Sequence, residues 1–177
     1  MKFIAFIGVL LFVASCGMKV PYTDKVKEQY NLSEDNLKKV QFFTSATVIL
    51  QRKNSMENQG TNENGTLVSN ESSVENRLII PANTKCIYES IEANGDINVR
   101  FEVGQNKYLR FAIRKGQTNG RYYLLANSWD ANKGGEINYG NLTYYATTDS
   151  GSAYLQVVIK KLKKIKRKDR VVKGMKV

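Results

Sequence analysis

At 177 residues the chain is long enough for one domain with a sizeable core. Histidine is absent and there are two cysteines, which removes the commonest general base, the commonest metal ligand and any Ser–His or Cys–His catalytic pair. The formal net charge is +11, but residues 160–177 hold ten Lys or Arg and one acid, Asp169, so the rest of the chain is close to neutral.

Lys2 precedes an uncharged apolar run, Phe3 to Val13. Its length suits an export signal, with an apolar core of about 7 to 15 residues, and falls short of the ~20 needed to cross a bilayer. The run leads into Val13-Ala14-Ser15-Cys16, which resembles the lipobox of bacterial envelope lipoproteins: an aliphatic residue, two small ones and a cysteine. The resemblance stops near Lys19. It implies that residues 1–15 are a removed signal peptide and that Cys16 carries a diacylglyceryl group in thioether linkage and an N-acyl chain, all palmitate-type. Two or more such chains anchor stably where one binds only marginally. No Asp follows Cys16, so the resemblance implies residence in the outer membrane, facing the periplasm, with the cell surface as the alternative. In length, Asn/Lys-rich body and basic end, the chain also resembles small Bacteroidota-type lipoproteins of unassigned function, a likeness that carries no site residues. With Cys16 lipidated, Cys86 is the remaining thiol and no intrachain disulfide forms. Its setting, Lys85-Cys86-Ile87-Tyr88, reads as a buried strand position.

Residues 16–31 read as the lipidated cysteine and a polar tether that stands the domain off the membrane. A short helix is expected within Leu32 to Val40. Ser33 is its N-cap, Glu34 and Asp35 occupy the first turn, Lys38 and Lys39 the last, and Leu32 with Leu37 form a hydrophobic staple. Phe42 to Arg52 reads as one long strand, and the polar stretch 53–76 as a mobile loop. Strands follow over 85–93 and 96–103, joined by the hairpin signal Asn94-Gly95, whose two residues must accept positive φ. Ile97, Val99, Phe101 and Val103 alternate with polar residues, predicting one buried and one wet face. Further strands are expected over 77–81, 107–114, 121–127, 136–139, 142–147 and 152–161. The pattern predicts a mainly β domain over 32–162: a small antiparallel β-barrel or sandwich with one short N-terminal helix. The barrel is preferred because hairpin follows hairpin directly. Residues 163–177 form a basic C-terminal extension.

No nucleophile elbow, HExxH, CxxC, phosphate loop or dinucleotide motif is present, so a non-enzymatic role is expected, with no metal and no cofactor. Asp130, Asn132 and Gly135 imitate the start of a calcium loop, but the twelfth position is Asn141 rather than a bidentate Glu, and a glycine-rich turn is the better reading. Tyr122, Tyr123, Trp129, Tyr139, Tyr144 and Tyr145 form the candidate binding surface, because one ring of each adjacent pair on a strand must face away from the core. They would suit glycan, peptidoglycan or a partner protein; aromatic shielding of a sheet face is the plainer reading.

Lys160, Lys161, Lys163, Lys164, Lys166, Arg167, Lys168 and Arg170 are the candidate contacts to an anionic surface such as lipid headgroups. Leu155, Val158, Ile159, Leu162 and Ile165 sit at helical spacing, but the β-branched run before Lys160 favours a strand that continues into a basic end. An exported chain meets little nucleic acid, so that partner is not expected. The function expected is that of a lipid-anchored, non-enzymatic envelope protein, an accessory or structural subunit of an envelope assembly. A glycan- or peptidoglycan-binding module using the surface tyrosines is the alternative.

Overall fold

The computed structural model describes residues 17–61, 67–166 and 174–175, with backbone alone for 53–61, 67–75, 164 and 166. Its strands form two antiparallel sheets. The first runs in the order β1 (Lys19–Pro21), β12 (Leu155–Val158), β2 (Gln41–Thr44), β5 (Lys85–Ile91), β6 (Ile97–Arg100), β7 (Tyr108–Ile113) and β8 (Tyr122–Leu124). The second runs β4 (Leu67–Ile80), β3 (Val48–Thr61), β11 (Leu142–Ala146), β10 (Gly134–Tyr139) and β9 (Ser128–Asp130). One contiguous core joins them, with Phe42, Ile97, Val99, Phe111 and Leu155 from the first sheet and Val48, Leu50, Ile137 and Ala146 from the second.

The mainly β, antiparallel class is as expected, and the arrangement is sandwich-like rather than the preferred closed barrel. The larger sheet does curl until its two ends meet. Contact is made at isolated bridges, Thr23 with Arg121 and Tyr123 with Tyr154, and at the bond from the Leu124 amide to the Ala153 carbonyl (2.8 Å). Among the described residues no strand ladder closes the seam. Inside the curl Tyr22 stands edge-on to Phe42, ring centroids 5.1 Å apart, and tilts against Tyr122 at 5.0 Å. All three rings are buried.

The polar tether is the first expectation to be overturned. Lys19, Val20 and Pro21 pair with Val158, Val157 and Gln156, and the Tyr22 amide donates to the Leu155 carbonyl at 2.8 Å. A three-residue strand is too short to show a period. Pro21 reads as a breaker, yet on an edge strand its missing N–H breaks no ladder. The chain continues into α1 (Asp24–Gln29), capped by the Thr23 hydroxyl accepting from the Val26 amide, and then α2 (Glu34–Leu37). The expected helix therefore exists as one turn, preceded by another. Leu32 and Leu37 are buried as the staple requires, but the Ser33 side chain makes no capping bond.

The long strand expected over 42–52 breaks at residues 45–47 and changes sheet. Thr44 makes that corner: its buried hydroxyl donates to the Pro81 carbonyl and accepts from the Thr84 amide, while Ser45 Oγ accepts from the Tyr154 amide. The loop expected over 53–76 is instead a ribbon, paired in unbroken register from Val48–Ile80 to Thr61–Leu67. Pairing of β3 with β11 is confined to Leu50 and Gln51, so beyond them the ladder is carried by backbone bonds that need no apolar alternation.

The hairpin at Asn94-Gly95 forms, but with positive φ at Gly95 alone, as in a three-residue loop ending in a left-handed residue. The alternation expected to Val103 ends at Arg100. Val103 is 93% exposed, whereas Asn98 is buried, its amide donating to Ser90 Oγ and Glu92 Oε1. The last strand is also shorter than expected. It stops at Val158 and turns into α3 (Ile159–Lys166), where Leu162 is buried and Ile159 and Ile165 pack on the core. The helical spacing of these three residues outweighs the β-branched run before them.

Tyr22 is the test of whether the N-terminal strand belongs to the domain. Tyr22→Ala should cost about 3–5 kcal/mol, the range for emptying a buried aromatic site, and lower the urea midpoint without abolishing cooperativity. A tether residue would leave the midpoint unchanged.

Candidate functional site

The candidate aromatic surface does not assemble. Tyr122 lies in the core of the curled sheet, its hydroxyl donating to Asp24 Oδ1 at 2.8 Å, and burial followed by that bond pushes its phenol well above the ordinary range. Tyr139 is buried in the second sheet, edge-on to the half-buried Tyr144, with its hydroxyl on Glu102 Oε1. Tyr123 is half-buried on the first sheet beside Tyr154, and Tyr145 half-buried on the second. These tyrosines split between two sheets and two burial classes. Their sequence signal, paired rings on strands, is the signal of aromatic packing as much as of a platform.

Trp129 is the exception. It sits on β9, the edge strand of the second sheet, and is 47% exposed. A Cβ added to Gly135 or to Gly151 would lie 2.9 Å from the benzo edge of its indole. Neither glycine has positive φ, so the backbone itself does not demand glycine at these positions. What the missing side chains provide is room for the indole edge against the main chain. The hairpin carrying Trp129 turns at Asp130, whose carboxylate accepts from the Asn132 and Lys133 amides and is held below the usual carboxylate range by those bonds. The calcium-like spacing here therefore belongs to a turn, and among the described residues no group of three or more acids or cysteines is placed to hold a metal.

The open part of the indole lines a cleft of about 800 Å³ between the ends of the sheets. Ala112, Ile113 and Leu125 give it an apolar floor, with Asp96, Arg114 and Lys115 around it. Arg114 is fixed in place: its guanidinium donates to the Gly151 carbonyl and lies over the Tyr123 ring, 4.8 Å from the centroid. Neither Arg114 nor Lys115 has a carboxylate partner among the described residues. Across Leu125 lies a smaller polar hollow of about 160 Å³, with Glu92, Asn98, Arg110 and Asn127 on its walls. Asn98 Oδ1 is buried there and has no hydrogen-bond partner among the described residues. Of the residues that line the cleft and the hollow, Trp129 alone belongs to the candidate surface read from the sequence. Its partners come from distant turns and strand ends, and nothing local marks them.

The second candidate region is the end where the chain begins. Gly17 packs on Val158, so closely that a Cβ built on it would sit 2.6 Å from Val158 Cγ1, and α3 starts at the next residue. Lys160, Lys161 and Lys163 are exposed on that helix. Lys164 and Lys166 lie on its backbone, while Cys16, Arg167, Lys168 and Arg170 fall outside the described residues. Among the described residues no helix is long and apolar enough to cross a membrane. No known family, characterised protein or solved structure matches the chain.

Cys86 is buried on β5, as its setting suggests, and burial pushes its thiol up to about 12. An ordinary thiol titrates near about 8.5. The folded state thus prefers the protonated form, a contribution intact below that ordinary value and lost as pH climbs towards about 12. Native protein at pH 8 should resist alkylation by iodoacetamide, and urea-unfolded protein should react completely. Rapid labelling of the native chain would show an accessible, activated thiol.

Proposed function

We propose that this chain is a lipid-anchored, non-enzymatic envelope protein, held close against its membrane by Cys16 and by the basic face of α3, and serving as an accessory or structural subunit there. The observation that supports the close attachment is the pairing of β1 with β12, which brings the start of the fold to the start of α3.

Magnitudes decide between close attachment and a stand-off. An extended chain spans at most about 3.5 Å per residue, so the three steps from Cys16 to Lys19 reach about 10 Å. A free tether to residue 31 would reach about 50 Å on the same measure. The Debye length at physiological salt is about 8 Å, so only the short connection keeps the α3 lysines within the field of anionic headgroups. There each contributes about 1 kcal/mol. The apolar side of α3 is already spent on the protein's own core, so this contact is electrostatic and not an insertion into the acyl region.

Two variants test the pair of attachments. Cys16→Ser should release the chain from membranes at high salt yet leave it able to bind anionic vesicles at low salt. Adding Lys161→Glu and Lys163→Glu should weaken that low-salt binding by at least about tenfold. Charge reversal is preferable to truncation at residue 162, which would cut α3 ahead of the packed Ile165. A Cys16→Ser chain that stays with membranes in high salt would contradict lipid anchoring. Binding that is indifferent to the lysines would contradict the role of α3.

A further inference from the structure

Three features remain unused by membrane attachment: the Trp129 cleft, the polar hollow beyond Leu125, and the cations Arg114 and Lys115 without carboxylate partners. We propose that together they form a glycan-binding site in which an acidic pyranose ring stacks on Trp129, its carboxylate meets Lys115 and Arg114, and the adjoining ring reaches Arg110 and Glu92 in the hollow. The site goes beyond membrane attachment and does not depend on it.

The indole of Trp129, half exposed on an edge strand, is seated on Gly135 and Gly151, where a methyl group would collide with it. A stationary indole face beside an apolar floor presents what the C–H face of a pyranose requires, a flat apolar surface with polar groups at its margin. The ordering cost is met in folding, before any ligand arrives.

Charge and hydrogen-bonding capacity then narrow the class. At the Arg114 end the guanidinium is already held by Gly151 and Tyr123, and Lys115 adds a second positive group, so an anionic substituent is favoured there. Past Leu125, Arg110 adds a third cation without a carboxylate partner among the described residues, and Glu92 and Asn127 can accept from hydroxyl groups, so the hollow suits the next ring of an acidic chain. An apolar face with cations on both sides of Leu125 is a description of a site for an acidic oligosaccharide. A flat aromatic ligand would satisfy the indole but leave the polar groups of the hollow unused.

The chain contains a single tryptophan, so its intrinsic emission reports this site alone. The full chain, purified in detergent, is titrated with α-1,4-tetragalacturonate and with the neutral maltotetraose, following tryptophan emission and heat. The acidic tetramer should bind saturably and shift the emission, and the neutral one should bind at least about tenfold more weakly, the effect of losing charge-assisted bonds. Lys115→Glu, a surface change, should weaken the acidic tetramer about tenfold. Trp129→Ala, followed by heat alone, should abolish its binding while the melting transition persists. No heat and no emission change with tetragalacturonate would overturn the proposal. So would equal affinity for the neutral tetramer, or undiminished binding by either variant.

Discussion

The pairing of Lys19–Pro21 with Gln156–Val158 is the constraint on which the rest of the molecule depends. It joins the two ends of the described chain in one ladder and delivers Tyr22 into the centre of the curled sheet, against Phe42 and Tyr122. Each aromatic pair adds about 0.5–1.5 kcal/mol beyond the area it buries. Lys19 reinforces the strand from outside, its ammonium on Asn83 Oδ1 at 2.9 Å and 4.3 Å from the centre of the Phe43 ring. With the N-terminal strand in place, Thr23 and Asp24 meet Arg121, Gly120 and Tyr122, and the far end of the sheet is drawn in to form the seam.

Two functional consequences follow from that curl. The start of the fold and the basic helix come to one end of the domain, so a lipid on Cys16 and the lysines of α3 would act on the same membrane patch. The first attachment would be covalent and insensitive to salt, the second electrostatic and salt-dependent. Meanwhile a cleft opens between residues of the two sheets. Trp129 comes to that cleft from an edge strand and Arg114 from the end of β7, and they share Gly151 in the turn before β12 as a common support.

Much of the fold was legible because its turns are short and chemically marked. Asn94-Gly95 and Gly140-Asn141 announce hairpins, and the alternation around Leu109 and Phe111 places those side chains inside. Other features left no such mark. β1 is three residues long and contains a proline, so its membership in the sheet is a tertiary fact. The corner at Thr44 is made by side-chain hydrogen bonds rather than by glycine or proline, and reads as uninterrupted strand. In the β3–β4 ribbon the polar composition conceals a ladder that the backbone sustains. The basic end was read as strand because β-branched residues precede it, although the positions of Leu162 and Ile165 already carried the helical signal. For the cleft, Gly135 and Gly151 look like turn glycines. Their contact with an indole depends on which strands become neighbours, and the sequence does not display that locally.

The most direct test of the account is hydrogen exchange at the Tyr22 amide in the native protein. That amide donates to the Leu155 carbonyl, and its ring is fully buried. An integral strand predicts exchange slowed to the level of the core amides of β6 and β7, governed by opening of the whole domain. A tether predicts exchange at nearly the rate of an unfolded chain. Unprotected exchange at Tyr22, with β6 and β7 fully protected, would contradict the account, because the N-terminal strand would then be no part of the domain.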